Sequence, residues 1–174
     1  IVSVQDQTSH ATAPKQTLNV VLYATGIKVD DVDQIPANAP GFHQPHTFMI
    51  AIGIGSYRDP QIPGRKFEAL DAEMVAGYWH TLGGVPASNI RLLQGWKAER
   101  IGIDEAVLEW LPAHATGEST VIVYFAGQAL VTNTGDVLLV PYERSPSVTA
   151  RLYPLKDLET ALARVKARHT LFIF

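Results

Sequence analysis

Continuous apolar runs of strand length recur along the chain and predict the strands of a sheet. Runs of this kind, rich in β-branched residues and bounded by turn residues, are typical of strands that are buried on both faces, as in a parallel sheet. The runs are TLNVVLYAT at 17–25, TFMIAIGI at 47–54, IRLLQ at 90–94, STVIVYFA at 119–126, DVLLVP at 136–141 and TLFIF at 170–174.

Apolar residues at three- and four-residue steps predict a helix after most of these runs. The helices are expected over 67–82, over 102–114 and from Pro154 to about residue 168, ended in the first case by Gly83-Gly84. Asp104 and Glu105 are expected in the first turn of the second helix. In the third helix, acidic residues come early and Lys166 and Arg168 come late, which suits the helix dipole.

The alternation of strands and helices predicts an α/β fold with a mostly parallel central sheet and helices on both of its faces. Residues 1–45 are interpreted as an amino-terminal arm, the extra strand 17–25 and a Pro- and Asp-rich linker, and residues 46–174 as the folded domain. The extra strand could pair with a sheet edge, belong to a preceding domain or pair with a partner chain, and the sequence leaves these alternatives open.

Composition narrows the possible functions. The chain has 174 residues, 14 Lys and Arg against 17 Asp and Glu, and a net charge of -3, so no basic excess favours nucleic acid as a partner. No apolar run is long enough to predict a membrane span. Cysteine is absent, which excludes disulfides and thiol chemistry within these residues. A cytoplasmic location is favoured, while an upstream signal peptide is left open because the chain begins at Ile1.

The carboxyl ends of the predicted strands are where a site is expected, because ligands of open α/β sheets bind there. The segments that follow these ends are 55–65, 127–133 and whatever follows Phe174. Gly53-Ile54-Gly55 resembles the start of a dinucleotide loop, but it has no third glycine and no helix follows directly, so close packing is the favoured interpretation. Gln128 follows the strand 119–126, and its amide cannot serve as a general base.

Ordered sequence blocks between residues 48 and 174 carry a resemblance to a known family. They are FMIAIGIGSYRD at 48–59, IPGRKFEALDAEMVAGYW at 62–79, GGVPASNIRLL at 83–93, STVIVYFAGQA at 119–129, GDVLLVPYE at 135–143, YPLKDLETAL at 153–162 and TLFIF at 170–174. In these blocks the chain resembles the large-subunit (p20-type) part of the caspase-like clan of cysteine peptidases, especially bacterial and fungal caspase and metacaspase homologues of the peptidase C14 kind. The resemblance implies a caspase-like three-layer α/β/α sandwich.

The resemblance also implies a catalytic pair that this chain departs from. The family places a His in a Ser-Gly-His-Gly type segment after the third main strand, and a Cys in an Asp-x-Cys type segment after the fourth. Here Gln128 occupies the His position, Ala129 follows it, and the Cys position lies beyond Phe174. None of the six histidines is expected near Gln128; they are His10, His43, His46, His80, His114 and His169.

The same resemblance suggests a pocket at this edge of the sheet. Arg65 aligns with the arginine that animal caspases use to hold a substrate aspartate, although a solvated arginine before a helix is the favoured interpretation. Asp71 recurs in the family and is interpreted as structural. The candidate pocket comprises Tyr57, Arg58, Arg65, Gly127 and Gln128.

Other candidate sites are weaker, and neither a metal nor a cofactor is predicted. His43 and His46 form an H-x-x-H pair in a Pro-rich loop, which is an incomplete zinc site, and Asp30, Asp31 and Asp33 lack the spacing of an EF-hand. Trp79, Trp96 and Trp110 are interpreted as core or rim packing.

The resemblance, together with Gln128 at the His position, therefore predicts a catalytically inactive caspase-like domain, a pseudo-enzyme that binds or scaffolds a protein or peptide partner as part of a larger bacterial protein. Its oligomeric state is left open. An active caspase- or metacaspase-type cysteine endopeptidase, seen in part or inactivated at Gln128, is the first alternative. An unrelated flavodoxin-like α/β binding domain is the second.

Overall fold

A computed structural model describes residues 34–35, 41–143 and 152–174. The predicted arm, the strand 17–25 and most of the linker lie outside the described residues. In the described part, seven strands and four α-helices follow one another as expected for an α/β fold. The strands are β1 (Thr47–Gly53), β2 (Ile90–Gln94), β3 (Thr120–Ala126), β4 (Ala129–Val131), β5 (Val137–Leu139), β6 (Tyr153–Pro154) and β7 (His169–Ile173). The helices are α1 (Glu68–Thr81), α2 (Arg100–Asp104), α3 (Leu111–His114) and α4 (Leu155–Ala163).

The central sheet has four parallel strands in the order β2-β1-β3-β7. Every residue of β1 is buried, as expected for a run of apolar residues in an interior parallel strand. Phe48, Ile50 and Ile52 face a core shared with α4 and the helical residues 100–114, whereas Met49 and Ala51 face α1. The sheet is therefore covered on both faces, and the predicted three-layer α/β/α architecture is confirmed.

Glycine allows α1 to pack very close to the end of β1. A Cβ atom added at Gly53 would lie 2.5 Å from the Glu68 carbonyl oxygen and 2.6 Å from the Ala72 Cβ. The same face of α1 buries the small side chains of Ala72 and Ala76. The interpretation of Gly53 as a packing residue therefore agrees with the structure.

A second, antiparallel sheet of three short strands has the order β4-β5-β6. The predicted strand 136–141 belongs to this sheet rather than to the parallel one, and its regular part is β5, which is shorter than expected. The turn that joins β4 to β5 contains Gly135 with a φ of 86°, a left-handed conformation that favours glycine. This sheet follows β3 directly, so it stands beside the carboxyl end of the central sheet.

The second helical segment begins earlier than the sequence suggested. α2 starts at Arg100, continues through a π-helical stretch at Glu105–Trp110 and ends with α3, and we call residues 100–114 the middle helix. Asp104 and Glu105 therefore do not lie in its first turn, and this prediction was wrong. The start of this helix was predicted from a stripe of buried apolar residues. Ile101 lies in the first turn but is 75% exposed, so it is not part of that stripe.

The third predicted helix, α4, is shorter than expected, because it ends at Ala163. The Arg164 backbone N–H bonds to the Ala161 carbonyl and the Val165 N–H bonds to the Leu162 carbonyl, so the last turn tightens to three-residue steps and closes the helix. Lys166 and Arg168 consequently lie outside the helix. Throughout the described ranges, every helix is too short or too polar to cross a bilayer.

Candidate functional site

The loops that follow β1 and β3 meet at the carboxyl edge of the central sheet. Gly53 and Ala126 are paired at the ends of the two strands, and the Ile54 backbone N–H continues the pairing by donating to the Ala126 carbonyl at 2.9 Å. The segment after β1 therefore runs beside Gly127 and Gln128, which follow β3. The parallel strands bring together the two segments that the sequence marked as places for a site.

Gln128 is held by three hydrogen bonds. Its backbone N–H donates to the Tyr57 hydroxyl oxygen at 2.7 Å, and its carbonyl accepts from the Val140 N–H at 3.0 Å. Its side-chain Nε2 donates to the Pro63 carbonyl at 3.1 Å. The amide thus ties the loop after β1 to the turn after β3, and it offers no proton acceptor with a pKa near neutrality.

Tyr57 lies beneath this turn and is 9% exposed. Burial raises the pKa of its hydroxyl above the ordinary value, and the nearby Glu68 charge adds to that increase. The Gln128 N–H and the Arg65 charge lower the pKa, but their effects do not outweigh burial. The phenol is therefore protonated at neutral pH, so it accepts a hydrogen bond here and does not serve as a general base.

Gly127 makes the turn between these residues compact. A Cβ atom at this position would lie 3.0 Å from the Phe125 ring and 3.4 Å from the Tyr57 hydroxyl oxygen. Any larger residue would therefore press on the Phe125 ring. The sequence placed Tyr57, Gly127 and Gln128 in one pocket, and in the structure these three residues lie against one another.

Arg65 and Arg58 stand at the rim. The Arg65 backbone N–H donates to the Gly55 carbonyl at 2.8 Å, and its side chain, 66% exposed, places Nε 3.6 Å from Glu68 Oε1. The Arg58 side chain is exposed, and its backbone N–H donates to the Tyr142 carbonyl at 2.9 Å. Both guanidinium groups extend from a loop that backbone bonds fix, so either can reach a ligand carboxylate from solvent.

Sequence reasoning missed Tyr124, which lies on β3 near the same edge. Burial raises the pKa of its hydroxyl, and the neighbouring charges of Asp71 and Glu68 raise it further. Asp71 lies in the first turn of α1, as predicted, and its side chain is exposed. The sequence feature that could have identified Tyr124 is its position, as a hydroxyl-bearing aromatic residue near the end of an otherwise apolar strand.

The five histidines within the described residues lie away from Gln128. His114 packs against Trp110, with ring centroids 5.5 Å apart, and its Nδ1 is 2.7 Å from the Trp110 carbonyl oxygen. His169 is paired with Thr120 at the amino end of β3, and the His46 carbonyl accepts from the Thr120 N–H.

His80 lies near the carboxyl end of α1, where its Nδ1 is 2.8 Å from the Val85 carbonyl oxygen, and it shares a surface cavity with His43. His10 lies outside the described residues. Nowhere in the described ranges do three or more metal-ligating side chains cluster as a metal site would require.

Comparisons with known proteins identify the fold alone. No family model matches the chain, and no curated protein matches it. Among solved structures, the chain is similar to the crystal structure of protein GSU0716 from Geobacter sulfurreducens, with 16% identity and a TM-score of 0.53. The match covers 74% of this chain and 48% of that one, so this chain spans about half the length of that solved structure. The description of that protein names no activity.

Proposed function

We propose that this chain is a caspase-like domain without peptidase activity that binds a protein or peptide partner. The sequence blocks at 48–174 support the family, and the order of the parallel strands is compatible with it. β3 and β7 are the third and fourth main strands along the chain, and they are neighbours in the sheet, with Tyr124 opposite Ile173. The positions at which the family carries its His and Cys therefore follow adjacent strand ends.

The observation that carries the proposal is the amide side chain of Gln128 at the position where the family has a histidine. A peptidase of this type needs an imidazole at this position to assist the attacking thiolate. The side chain here is an amide, and its Nε2 is already engaged by the Pro63 carbonyl. Because neither this group nor the protonated Tyr57 hydroxyl can accept a proton near neutral pH, the edge is suited to holding a ligand rather than cleaving it.

The experiment that tests inactivity compares the natural protein with its Gln128→His variant on Arg-, Lys- and Asp-type peptide substrates. We expect no hydrolysis by the natural protein. Thiol-dependent cleavage by the natural protein would contradict the proposal and favour an active cysteine endopeptidase. Cleavage by the variant alone would support the family and show that the loss of imidazole is what inactivates the site.

The binding role calls for a separate measurement. Peptides selected from a display library on the natural protein should lose affinity for an Arg65→Glu variant, because Arg65 is exposed at the rim of the edge. Arg164→Glu is the matched control, since Arg164 is also an exposed arginine but follows α4 and does not belong to the candidate pocket. Selected peptides that bind both variants equally would place binding elsewhere on the surface and contradict this part of the proposal.

A further inference from the structure

A short segment that follows β5 joins the three loops of the carboxyl edge. The Val140 N–H donates to the Gln128 carbonyl at 3.0 Å, in the turn after β3. The Tyr142 N–H donates to the Ala98 carbonyl at 3.1 Å, in the turn after β2. The Tyr142 carbonyl accepts from the Arg58 N–H at 2.9 Å, in the loop after β1.

The sequence of this segment, Val-Pro-Tyr, suits its position. We call residues 140–142 the connector. Val140 and Pro141 are buried. Pro141 has no N–H to satisfy, and its ring fixes the backbone angle φ between the two residues that make the hydrogen bonds. A displacement of the connector therefore acts on the backbone of all three loops.

Glu143 fastens the end of the connector to the middle helix. Its two carboxylate oxygens each lie 3.2 Å from the Arg100 backbone nitrogen, which donates to them. Arg100 is the first residue of that helix, so its N–H has no acceptor within the helix and finds one 43 positions away. Hydrogen bonds to a carboxylate are roughly twice as strong as those between neutral groups.

The residue to which Glu143 is fastened is itself held in place. The Arg100 guanidinium lies 4.9 Å from the centroid of the Tyr153 ring, and its Nη1 donates to the Leu152 carbonyl at 3.4 Å. Its Nε lies 3.6 Å from Asp104 Oδ2. Contacts with β6 and within the middle helix therefore make Arg100 a fixed point for the connector.

We infer that Glu143 is a positioning residue for the candidate site. Its carboxylate holds the connector at the start of the middle helix, and the connector fixes the backbone of Arg58, whose guanidinium extends to solvent at the rim. Because Arg58 acts on a bound ligand, this role of Glu143 rests on the proposed function. Glu143 itself lies outside the candidate pocket.

Amide hydrogen exchange tests the positioning role without a ligand. In a Glu143→Ala variant, the Tyr142 and Arg58 N–H groups should exchange at least about tenfold faster, because both belong to hydrogen bonds of the residue that precedes Glu143. The Val140 N–H should change less, since Val140 directly follows the last paired residue of β5. Glu143→Gln keeps an acceptor oxygen for the Arg100 N–H and should retain most of the protection.

Val165→Ala is the control for a general loss of stability. Val165 is buried and lies between α4 and β7, at the opposite edge of the sheet. This variant should accelerate the Arg58 amide no more than the β1 amides, whereas Glu143→Ala should accelerate the Arg58 amide more. Equal acceleration of both in Glu143→Ala would overturn the inference.

The peptides selected on the natural protein test the effect on binding. Glu143→Ala should weaken their affinity at least about threefold, and Arg58→Ala should weaken it as well. If Glu143 acts through Arg58, adding Glu143→Ala to Arg58→Ala should reduce affinity little further, and full additivity of the two changes would overturn the inference. A selection that yields no peptide would contradict the proposed function, and hydrogen exchange alone would then decide whether Glu143 positions the edge.

Discussion

The hydrogen bond between Tyr57 and Gln128 joins the loop after β1 to the turn after β3, and a Tyr57→Phe variant removes it with the least change of shape. The hydroxyl accepts the Gln128 backbone N–H at 2.7 Å. Tyr57 is 9% exposed, so water cannot easily replace the missing oxygen. A buried donor left without an acceptor costs about 1–3 kcal/mol. Because Gln128 itself is half-buried, we expect the lower part of this range, about 1–2 kcal/mol.

Urea unfolding provides the measurement of that cost. In a chain of this length each kcal/mol corresponds to roughly 2–4 °C in Tm, so thermal melts should show a decrease of about 2–8 °C. Amide hydrogen exchange gives a local check, because the Gln128 N–H should exchange faster in the variant while the β1 amides keep their protection.

Tyr142→Phe is the matched control for this prediction. Tyr142 is also partly buried, and its hydroxyl makes no hydrogen bond among the described residues. Its loss should change the free energy of unfolding by less than about 0.5 kcal/mol. The reasoning is refuted if Tyr57→Phe is as mild as Tyr142→Phe and the Gln128 amide exchanges at its original rate.

Three further predictions follow from packing and ionisation. Gly53→Ala should destabilise by about 1–3 kcal/mol in urea unfolding, because the new Cβ would lie 2.5 Å from the Glu68 carbonyl oxygen, whereas Gly117→Ala, with no atom within 4 Å, should be nearly neutral. Gln128→Ala should cost less than about 1 kcal/mol, because it removes only the exposed side-chain bond and keeps the backbone one. Burial and a hydrogen bond to Asp104 raise the pKa of the Tyr153 hydroxyl above its ordinary value, so the stability that this group contributes is complete below about pH 10 and is lost as the pH rises further. Tyr153→Phe should therefore flatten the decline in unfolding free energy above about pH 10, and an unchanged slope there would contradict this prediction.

The central sheet was predictable because burial on both faces leaves a strong trace in the sequence. Four apolar runs became β1, β2, β3 and β7, with bounds that moved by one residue at most. The small antiparallel sheet was only partly predictable. β4 has three residues and β6 has two, too few to show an alternating pattern, so neither strand was expected and the second sheet to which β5 belongs was not predicted.

The position of the candidate site was predictable, but its internal contacts were not. The rule that ligands bind beyond parallel strand ends placed Gln128 and Tyr57 at one edge. The hydrogen bond between them joins residues 71 positions apart, and the side-chain bond of Gln128 goes to a backbone carbonyl of Pro63. Contacts of this kind depend on loop conformation, which carries no periodic signal. The exposure of Trp96 escaped sequence reasoning for the same reason, because it lies in a short turn after β2.

Cleavage of a complex peptide mixture, read by mass spectrometry, tests the central claim most directly. The natural protein is incubated with a proteome-derived peptide library under reducing conditions, with and without calcium, beside its Gln128→His variant. We predict no new peptide ends from the natural protein at any pH from about 5 to about 9, because the group at the edge cannot take up a proton in this range. New ends that the natural protein produces, and that a thiol-alkylating reagent abolishes, would contradict the account.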